Sequence, residues 1–564
     1  MADTGNDARK YVGSQILTRV ASHAGASGQR SMNSRDRDRS SRNPLVSIRH
    51  GSLVLATQFV FVIGTIAVLP QPVSAQEQAP APRLEMPSFQ NAPAELPVPG
   101  PRGDQRALPI NLPTALQLAN ARAIDISIAS ARIKLAAAQL ERARVLWLPT
   151  IQSGVDYFRH DGRIQDVQGN LFNTDKSAFM AGFAPIAVFA VSDAIYAPLA
   201  ARQVVRARTS DLRAATNDSV LAAAEAYFNA QQARGELAGA EDAVRRGMDL
   251  LQRTEKLASP AVGIIPQVEV VRARTELARR KQAAHSAYER WRTASADLIR
   301  VLRLDAAALV EPLEPPQLRV TLIDPNSQVD DLIPVALTNR PELAAQQALV
   351  QATLAQLRLE KIRPLVPSVL LRGASTNPAG TLAAGVFGGG QNGRIGDFGA
   401  RSDFDVQVLW ELQNLGLGNR ARVRERRAEH ELSHLELFRI QDRVAAEVAQ
   451  AHAQLQSAAA RVAEAETEVK DAVDSLEKNV EGMRQLKGAG NVVTFINRPQ
   501  EVVAALQALA QAYNDYYAAV GDYNRSQFRL YRDLGYPGQY LGTLDGHCHP
   551  ATGEEAPPSL PTPK

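Results

Sequence analysis

Residues 335–373 read VALTNRPELAAQQALVQATLAQLRLEKIRPLVPSVLLRG, and this stretch decides the fold because the chain has already used its pattern once. The earlier copy runs from ALQLANARAIDI (115–126) to RARVLWLPTIQSG (142–154) and is likewise an Ala-rich and Leu-rich helical segment that turns into a strand. Pro149 and Pro367 occupy the same helix-to-strand junction. The chain therefore contains an internal repeat of about 220–230 residues.

The segments after these junctions alternate between two faces. In residues 149–161, Ile151, Val155 and Tyr157 fall on one face, a period of two that is typical of a β-strand. We predict two strands in each copy of the repeat. The predicted strands cover about 149–161 and 186–197 in the first copy and about 366–376 and 401–412 in the second. The Gly-rich and Asn-rich residues 377–400 are predicted to form a loop.

A long helix and a return helix complete each copy. In the second copy, bulky apolar residues recur every seven positions, and mostly alanine follows three positions after each of them. This a/d pattern predicts a coiled-coil seam in which small residues let the partner helix approach closely. The seam comprises Val448, Leu455, Val462, Val469, Leu476 and Met483, with Ala451, Ala458, Ala465 and Ala472. The predicted fold class is α+β but mostly α, a duplicated helix–strand–strand–helix–helix unit.

The N-terminal region has the pattern of a secretory signal. Residues 52–69 are apolar and uncharged, arginines precede them, and Val73-Ser74-Ala75 is a small-residue cleavage pattern. We expect cleavage after Ala75 rather than a retained transmembrane anchor, and Met32 is a candidate true start. The predicted organisation is a leader (1–75), a Pro-rich linker (76–112), a first repeat (113–326), a second repeat (327–535) and a tail (536–564).

Charge and cysteine content argue against other classes of protein. The formal net charge is +4, but residues 1–50 carry +5 and the remainder −1, so the body of the chain gives no support for nucleic-acid binding. The single cysteine, Cys548, excludes a disulfide framework within the chain. No later segment reaches the length of a transmembrane helix without a charge, so contact with a membrane would come from strands.

The predicted strands and helices are too long for an ordinary compact domain. Four strands of this length fit a membrane-spanning sheet but cannot close a barrel, and open edges are not tolerated in lipid. Other copies of the chain must therefore complete the sheet. A helix of about 60 residues is about 90 Å long. These arguments predict an oligomeric barrel that continues into a long helical cylinder.

This order resembles the TolC-type outer membrane efflux protein family over about 113–535. The resemblance rests on the two repeats, on NRPEL (339–343), on the two junction prolines and on WELQNLGLGNRARV (410–423), which is similar to the passage from the family's barrel into its long helix. It implies a homotrimer with a twelve-stranded outer-membrane β-barrel, four strands per copy, and a periplasmic α-helical coiled-coil tunnel. It also implies a passive exit duct, held in outer membrane lipids, for an efflux pump or a type I secretion system.

The same resemblance implies two protein partners, a periplasmic adaptor protein and an inner-membrane pump or ABC transporter. In the family, the turns between the long helix and the return helix form the tip that meets the adaptor. The corresponding residues here are Val262, Gly263 and Ile264 in the first turn and Gly488, Gly490 and Val492 in the second. The second turn is about three residues longer than the first, a departure that leaves the choice of adaptor open.

Four carboxylates lie on one face of the long helix near this tip. Asp471, Asp474, Glu477 and Glu481 follow each other at spacings of three, three and four. A solvated helix face explains the pattern. The alternative is a ring of carboxylates from three copies, which would narrow the tunnel mouth and attract cations.

Two short patterns suggest metal binding. His430-Glu431-Leu432-Ser433-His434 matches H-E-x-x-H, in which the two histidines hold zinc, and His547-Cys548-His549 lies in the tail. No third ligand accompanies the first pattern, so we treat it as a chance match and predict no catalytic residue, no cofactor and no metal. Two other functions stay open: a periplasmic coiled-coil adaptor, which would have one helical hairpin where this chain has two, and a zinc-dependent hydrolase.

Overall fold

The computed structural model describes residues 96–100, 106–260, 264–372, 382, 384–391, 393–483, 485–489, 492–495 and 497–538, which fall within one compact unit. The helices are α1 (Leu112–Arg122), α2 (Ile124–Arg144), α3 (Val191–Leu257), α4 (Gln267–Leu302), α5 (Val329–Asn339), α6 (Pro341–Ile362), α7 (Leu417–Gly482) and α8 (Pro499–Asp533). The strands are β1 (Ala107–Ile110), β2 (Thr150–Gln165), β3 (Leu171–Ala190), β4 (Leu309–Pro312), β5 (Ser368–Arg372), β6 (Ala384–Gly390), β7 (Gly396–Ser402), β8 (Asp405–Leu409), β9 (Leu486–Ala489) and β10 (Val492–Phe495).

The main sheet is built around the long strand β3. On one side β2 pairs with it antiparallel along its whole length, from Thr150 opposite Ile186 to Gln165 opposite Leu171. On the other side β5 and β6 pair with successive parts of β3, and β8 and β7 pair with β5 and β6. The consecutive strands β5 and β6 therefore form one interrupted span, and β7 and β8 form another. The sheet has four consecutive antiparallel spans, two from each repeat.

The second predicted strand of the first repeat is wrong in its bounds. We expected a strand at about 186–197, but β3 occupies Leu171–Ala190 and α3 begins at Val191. The β-branched and aromatic composition of IAVFAVSDAIYA continues across this junction, so intrinsic propensity does not mark it. A tertiary contact favours the helix beyond the junction, because Asp193 forms a half-buried ion pair with Arg363 just beyond the end of α6.

The predicted loop at 377–400 is also wrong for its described part, which contains β6 and the start of β7. Glycine suggested a loop, yet Gly182 of β3 and Gly385 of β6 are directly paired across the sheet. A Cβ atom on Gly182 would collide with the backbone carbonyl oxygen of Ala384. Glycine is needed here for close approach of two strands rather than for a turn.

Four helices continue the four spans in the same order. The chain passes from α2 into β2, from β3 into α3, from α6 into β5 and from β8 into α7. Neighbours in this series pack against each other, α2 on α3, α3 on α6 and α6 on α7. Farther along the chain from the sheet, α3 packs on α4 and α8, and α8 packs on α7. Among the helices that the structure describes, none combines the length and the apolar character that crossing a bilayer requires.

The heptad seam of α7 is confirmed by burial. The six bulky residues from Val448 to Met483 are between 0% and 3% exposed. The four alanines are between 0% and 9% exposed: Ala451, Ala458, Ala465 and Ala472. The seam packs with α8 in one continuous apolar core. Burying a large aliphatic side chain contributes roughly 1.5–3 kcal/mol. The repeated burial explains how the 66-residue helix is held against its partner.

The NRPEL segment is a structural anchor. Arg340 is 3% exposed and donates from Nη2 to Asp533 Oδ1 at 2.5 Å and from Nε to the Asp533 carbonyl at 2.9 Å. Its Nη1 lies 2.7 Å from Glu447 Oε2. One buried guanidinium therefore joins the start of α6 to α7 and to the end of α8. Burial raises the pKa of Asp533, and the nearby Arg340 opposes that shift.

Candidate functional site

The first helix reversal lies between α3 and α4. Val262 and Gly263 lie outside the described residues, so their part in docking stays a prediction. The backbone N–H of Ile264 donates to the carbonyl of Leu257 at 3.1 Å and closes the turn. The Ile264 side chain is exposed, whereas that of Ile265 is buried. One isoleucine thus holds the turn to the helices, and the other presents an apolar surface to solvent.

The second helix reversal differs from the first. Gly490 lies outside the described residues, but Gly488 belongs to β9 and Val492 to β10. These two strands form an antiparallel hairpin, with Val492 opposite Ala489 and Gly488 opposite Val493. The additional residues that distinguish this turn in the sequence therefore form a small β-ribbon at the end of α7.

All four predicted carboxylates are exposed on α7, and two of them share a cavity. Asp474 accepts a hydrogen bond from Lys478 Nζ at 2.5 Å on the helix surface. This hydrogen bond raises the pKa of Lys478, so the lysine stays charged. Glu477 and Glu481 line a cavity of about 400 Å³ between α3, α7 and α8. Asp471 is exposed and does not line that cavity.

The same cavity contains charged residues that were not among the predicted ones. Arg246 and Asp249 of α3 face Glu477 and Glu481 across it. Arg246 is positioned by Asp242, whose Oδ2 accepts from its Nε at 2.7 Å. Burial lowers the pKa of Arg246, but the hydrogen bond and the charge of Asp242 outweigh burial and raise the pKa above its usual value, so the guanidinium stays charged. The cavity therefore contains a cation among carboxylates rather than a purely acidic ring.

The internal repeat relates this segment of α3 to the acidic segment of α7. Aligning EDAVRRGMDLL (241–251) with KDAVDSLEKNV (470–480) makes Asp242 the counterpart of Asp471. The two aspartates behave differently, because Asp242 is buried under the Tyr513 hydroxyl, which donates to it at 3.2 Å, and Asp471 is exposed. The alignment would have pointed to this segment of α3, but not to which copy buries its charge.

The main sheet ends in two open edges. Among the described strands, β2 pairs with β3 alone, and β7 and β8 each pair with a single neighbour. Large apolar residues are exposed on one face of these edge spans: Ile151, Val155, Tyr157, Phe404, Val406 and Val408. Trp147 and Trp410 are exposed where the helical layer meets the sheet. A single copy therefore presents unpaired backbone and a broad apolar surface.

The H-E-x-x-H pattern lies on α7 against α6. The rings of His430 and His434 are 4.6 Å apart, measured between centroids, and Glu431 is exposed on another face of the helix. In the described part of the chain, no group of three or more His, Cys, Asp or Glu residues is arranged to hold a metal ion. Burial and the neighbouring His434 lower the pKa of His430. The His547-Cys548-His549 pattern lies outside the described residues.

Comparison with known proteins finds the fold and not a close relative. No protein-family model and no curated protein matches the chain. Among solved structures, the outer-membrane channel OprN is 17% identical, with a TM-score of 0.62 over 81% of this chain and 99% of that one. CusC, whose structures concern folding and transmembrane channel formation, is 17% identical, with a TM-score of 0.58 over 80% and 100%. The outer membrane protein VceC of Vibrio cholerae is 15% identical, with a TM-score of 0.58 over 75% and 96%. The chain therefore has the fold of the TolC-type outer-membrane efflux channels.

Proposed function

We propose that this protein is the outer-membrane channel of a tripartite efflux pump or type I secretion system. It is a passive exit duct, and the energy for export comes from an inner-membrane partner. One observation carries the proposal: a four-span sheet with two open edges continues, span by span, into four long helices. The likeness to OprN, CusC and VceC in fold supports the same reading.

The open edges support a homotrimer. An edge strand in lipid would leave its N–H and C=O groups without hydrogen bonds, at several kcal/mol for each group. Pairing β2 of one copy with the β7–β8 span of the next removes both edges. Three copies supply twelve spans, an even number within the range of bacterial outer-membrane barrels. The helices that continue these spans would then close into a tunnel with the same threefold symmetry.

The two helix reversals are proposed as the tip that holds a periplasmic adaptor. They lie at the far ends of the 67-residue α3 and the 66-residue α7, about 100 Å from the sheet by the helix rise. The exposed Ile264 and the β9–β10 hairpin give this end two different surfaces in each copy. We place adaptor docking at Val262, Gly263, Ile264, Gly488, Gly490 and Val492.

The test combines location, assembly and docking. After expression with its leader, the protein is expected in the outer membrane, with an N-terminus near Gln76 and heat-modifiable migration. Chemical cross-linking in detergent should stop at three copies. A soluble periplasmic monomer would favour the adaptor alternative and contradict the channel.

The docking part needs its own variants. Gly263→Trp and Gly490→Trp should abolish export while cross-linked trimers and heat-modifiable migration stay unchanged, because the barrel lies far from the substitutions. If both variants export normally, docking uses another surface, and the channel proposal stands without its adaptor site.

A further inference from the structure

The strongest chemical feature that the proposed exit duct does not use is the histidine pair at the contact between α6 and α7. His430 and His434 are one helical turn apart, and their rings meet edge to face with centroids 4.6 Å apart. Both rings are half-buried. Side chains four residues apart on a helix lie on one face, so both imidazoles can reach one ion.

Hydrogen bonds from α6 orient the ring of His430 and favour one of its two tautomers. Thr353 of α6 donates its hydroxyl proton to the Val350 carbonyl at 2.9 Å. The Thr353 oxygen lies 3.0 Å from His430 Nδ1 and can only accept there, because its single proton is already used. On this basis we assign the proton of His430 to Nδ1, which leaves the lone pair of Nε2 for a ligand. This is the tautomer in which a histidine binds a metal through Nε2.

The helix that carries the pair is held firmly. Between the two histidines, Ser433 is buried and faces α6, where Gln346 Nε2 donates to its carbonyl at 3.0 Å. Thr353 at His430 and Gln346 at Ser433 thus hold α7 against α6. Ligands on packed helices hold their geometry better than ligands on loops.

We propose that His430 and His434 chelate one divalent transition-metal ion, such as Cu²⁺ or Zn²⁺, with water completing the coordination shell. Imidazole nitrogen suits these ions, whereas Ca²⁺ and Mg²⁺ require oxygen ligands. The described residues supply two ligands and no third, so the site is open and is not a closed structural zinc site. It also lacks the complete ligand set of a zinc hydrolase.

Thr353 is a positioning residue in this proposal. It does not touch the ion, but it holds the ring of His430 and its tautomer. Partners of this kind typically affect metal affinity by about 10–100-fold. If Thr353 served only to pack the two helices, its substitution would not change the metal affinity by that amount.

The test measures metal binding by the purified full-length protein in detergent, without a histidine tag. His547→Asn, Cys548→Ser and His549→Asn are present in every sample, because that segment is a competing metal pattern. Titration calorimetry with Zn²⁺ alone should give one site per chain. Electron paramagnetic resonance with Cu²⁺ should show coupling to two imidazole nitrogens.

The variants separate chelation from packing. His434→Asn should weaken Zn²⁺ binding at least tenfold and reduce the Cu²⁺ signal to one imidazole. Thr353→Val should weaken binding about tenfold, and Thr353→Ser should restore it. His285→Asn, a change to an exposed histidine on α4, is the matched control and should leave binding unchanged.

The proposal is overturned if the parent protein binds Zn²⁺ no more tightly than His434→Asn does. It is also overturned if the Cu²⁺ spectrum is the same in both. Neither result bears on the exit-duct proposal, which is tested by location, assembly and export.

Discussion

At the scale of single residues, the carboxylates near the end of α7 place exposed negative charge close to the proposed tip. Asp474 is 57% exposed beside Lys478, and Glu477 faces Arg246 across the cavity. Each of these two carboxylates therefore has a nearby cation, which reduces the negative electrostatic potential around it. If three copies surround a tunnel, these groups still give it a ring of acidic side chains. We propose that Asp471, Asp474, Glu477 and Glu481 form a cation-attracting constriction.

We predict that Asp474→Asn combined with Glu477→Gln weakens block of the channel by divalent cations in planar bilayers. One charge at 4 Å in water contributes about 1 kcal/mol, so the half-blocking concentration should rise about fivefold or more. Asp442→Asn with Glu464→Gln is the matched control, because it removes two exposed charges from the same helix farther from the tip. Equal block in both double variants would mean that the four carboxylates are only a solvated face.

At the scale of elements, α7 shows which parts of the fold can be read from sequence. Its seam was predicted residue by residue, because seven-residue spacing is a local pattern that packing enforces directly. Ala458 illustrates the result, since it is fully buried where α8 approaches. The strand-to-helix change at Val191 was not predictable in the same way. The helix there is supported by the contact of Asp193 with Arg363, a residue 170 positions later in the chain.

The candidate site was predictable to a smaller extent than the fold. The exposed carboxylates of α7 were found from spacing alone, but Arg246 and Asp249 reach them only through the packing of α3 beside α7 and α8. The β9–β10 hairpin was not predicted. Each of its strands has four residues, which is too short for alternation to distinguish a strand from a turn. Likewise, the orientation of His430 depends on Thr353 in another helix.

We predict that Ala458→Leu destabilises the protein by about 1–3 kcal/mol, because extra carbons in a close-packed seam force the helices apart. Ala463→Leu changes an exposed alanine five residues away on the same helix and should stay within about 0.5 kcal/mol of the parent. Denaturant unfolding of the detergent-solubilised protein, followed by circular dichroism, measures both. Similar destabilisation by the two leucines would contradict a tight α7–α8 seam.

At the scale of the whole molecule, the proposed duct requires that one face of the sheet meets lipid. Val155 lies near the middle of β2 on the face shared by Ile151 and Tyr157, and it is 64% exposed in the single chain. In water such a surface would be an unexplained apolar patch. In an outer-membrane barrel it is the outward band, where aliphatic and aromatic residues contact acyl chains.

We predict that Val155→Arg lowers the stability of the membrane-inserted protein by about 2–4 kcal/mol, the cost of an arginine on the lipid face near the midplane of a barrel. Val167→Arg places the same charge in the fully exposed turn between β2 and β3, where it should have little effect. Urea titration in lipid vesicles, scored by heat-modifiable migration, compares the two variants. An arginine at Val155 faces acyl chains only if neighbouring copies close the sheet around a tunnel, so equal stability of both variants would contradict the barrel and the trimer that it requires.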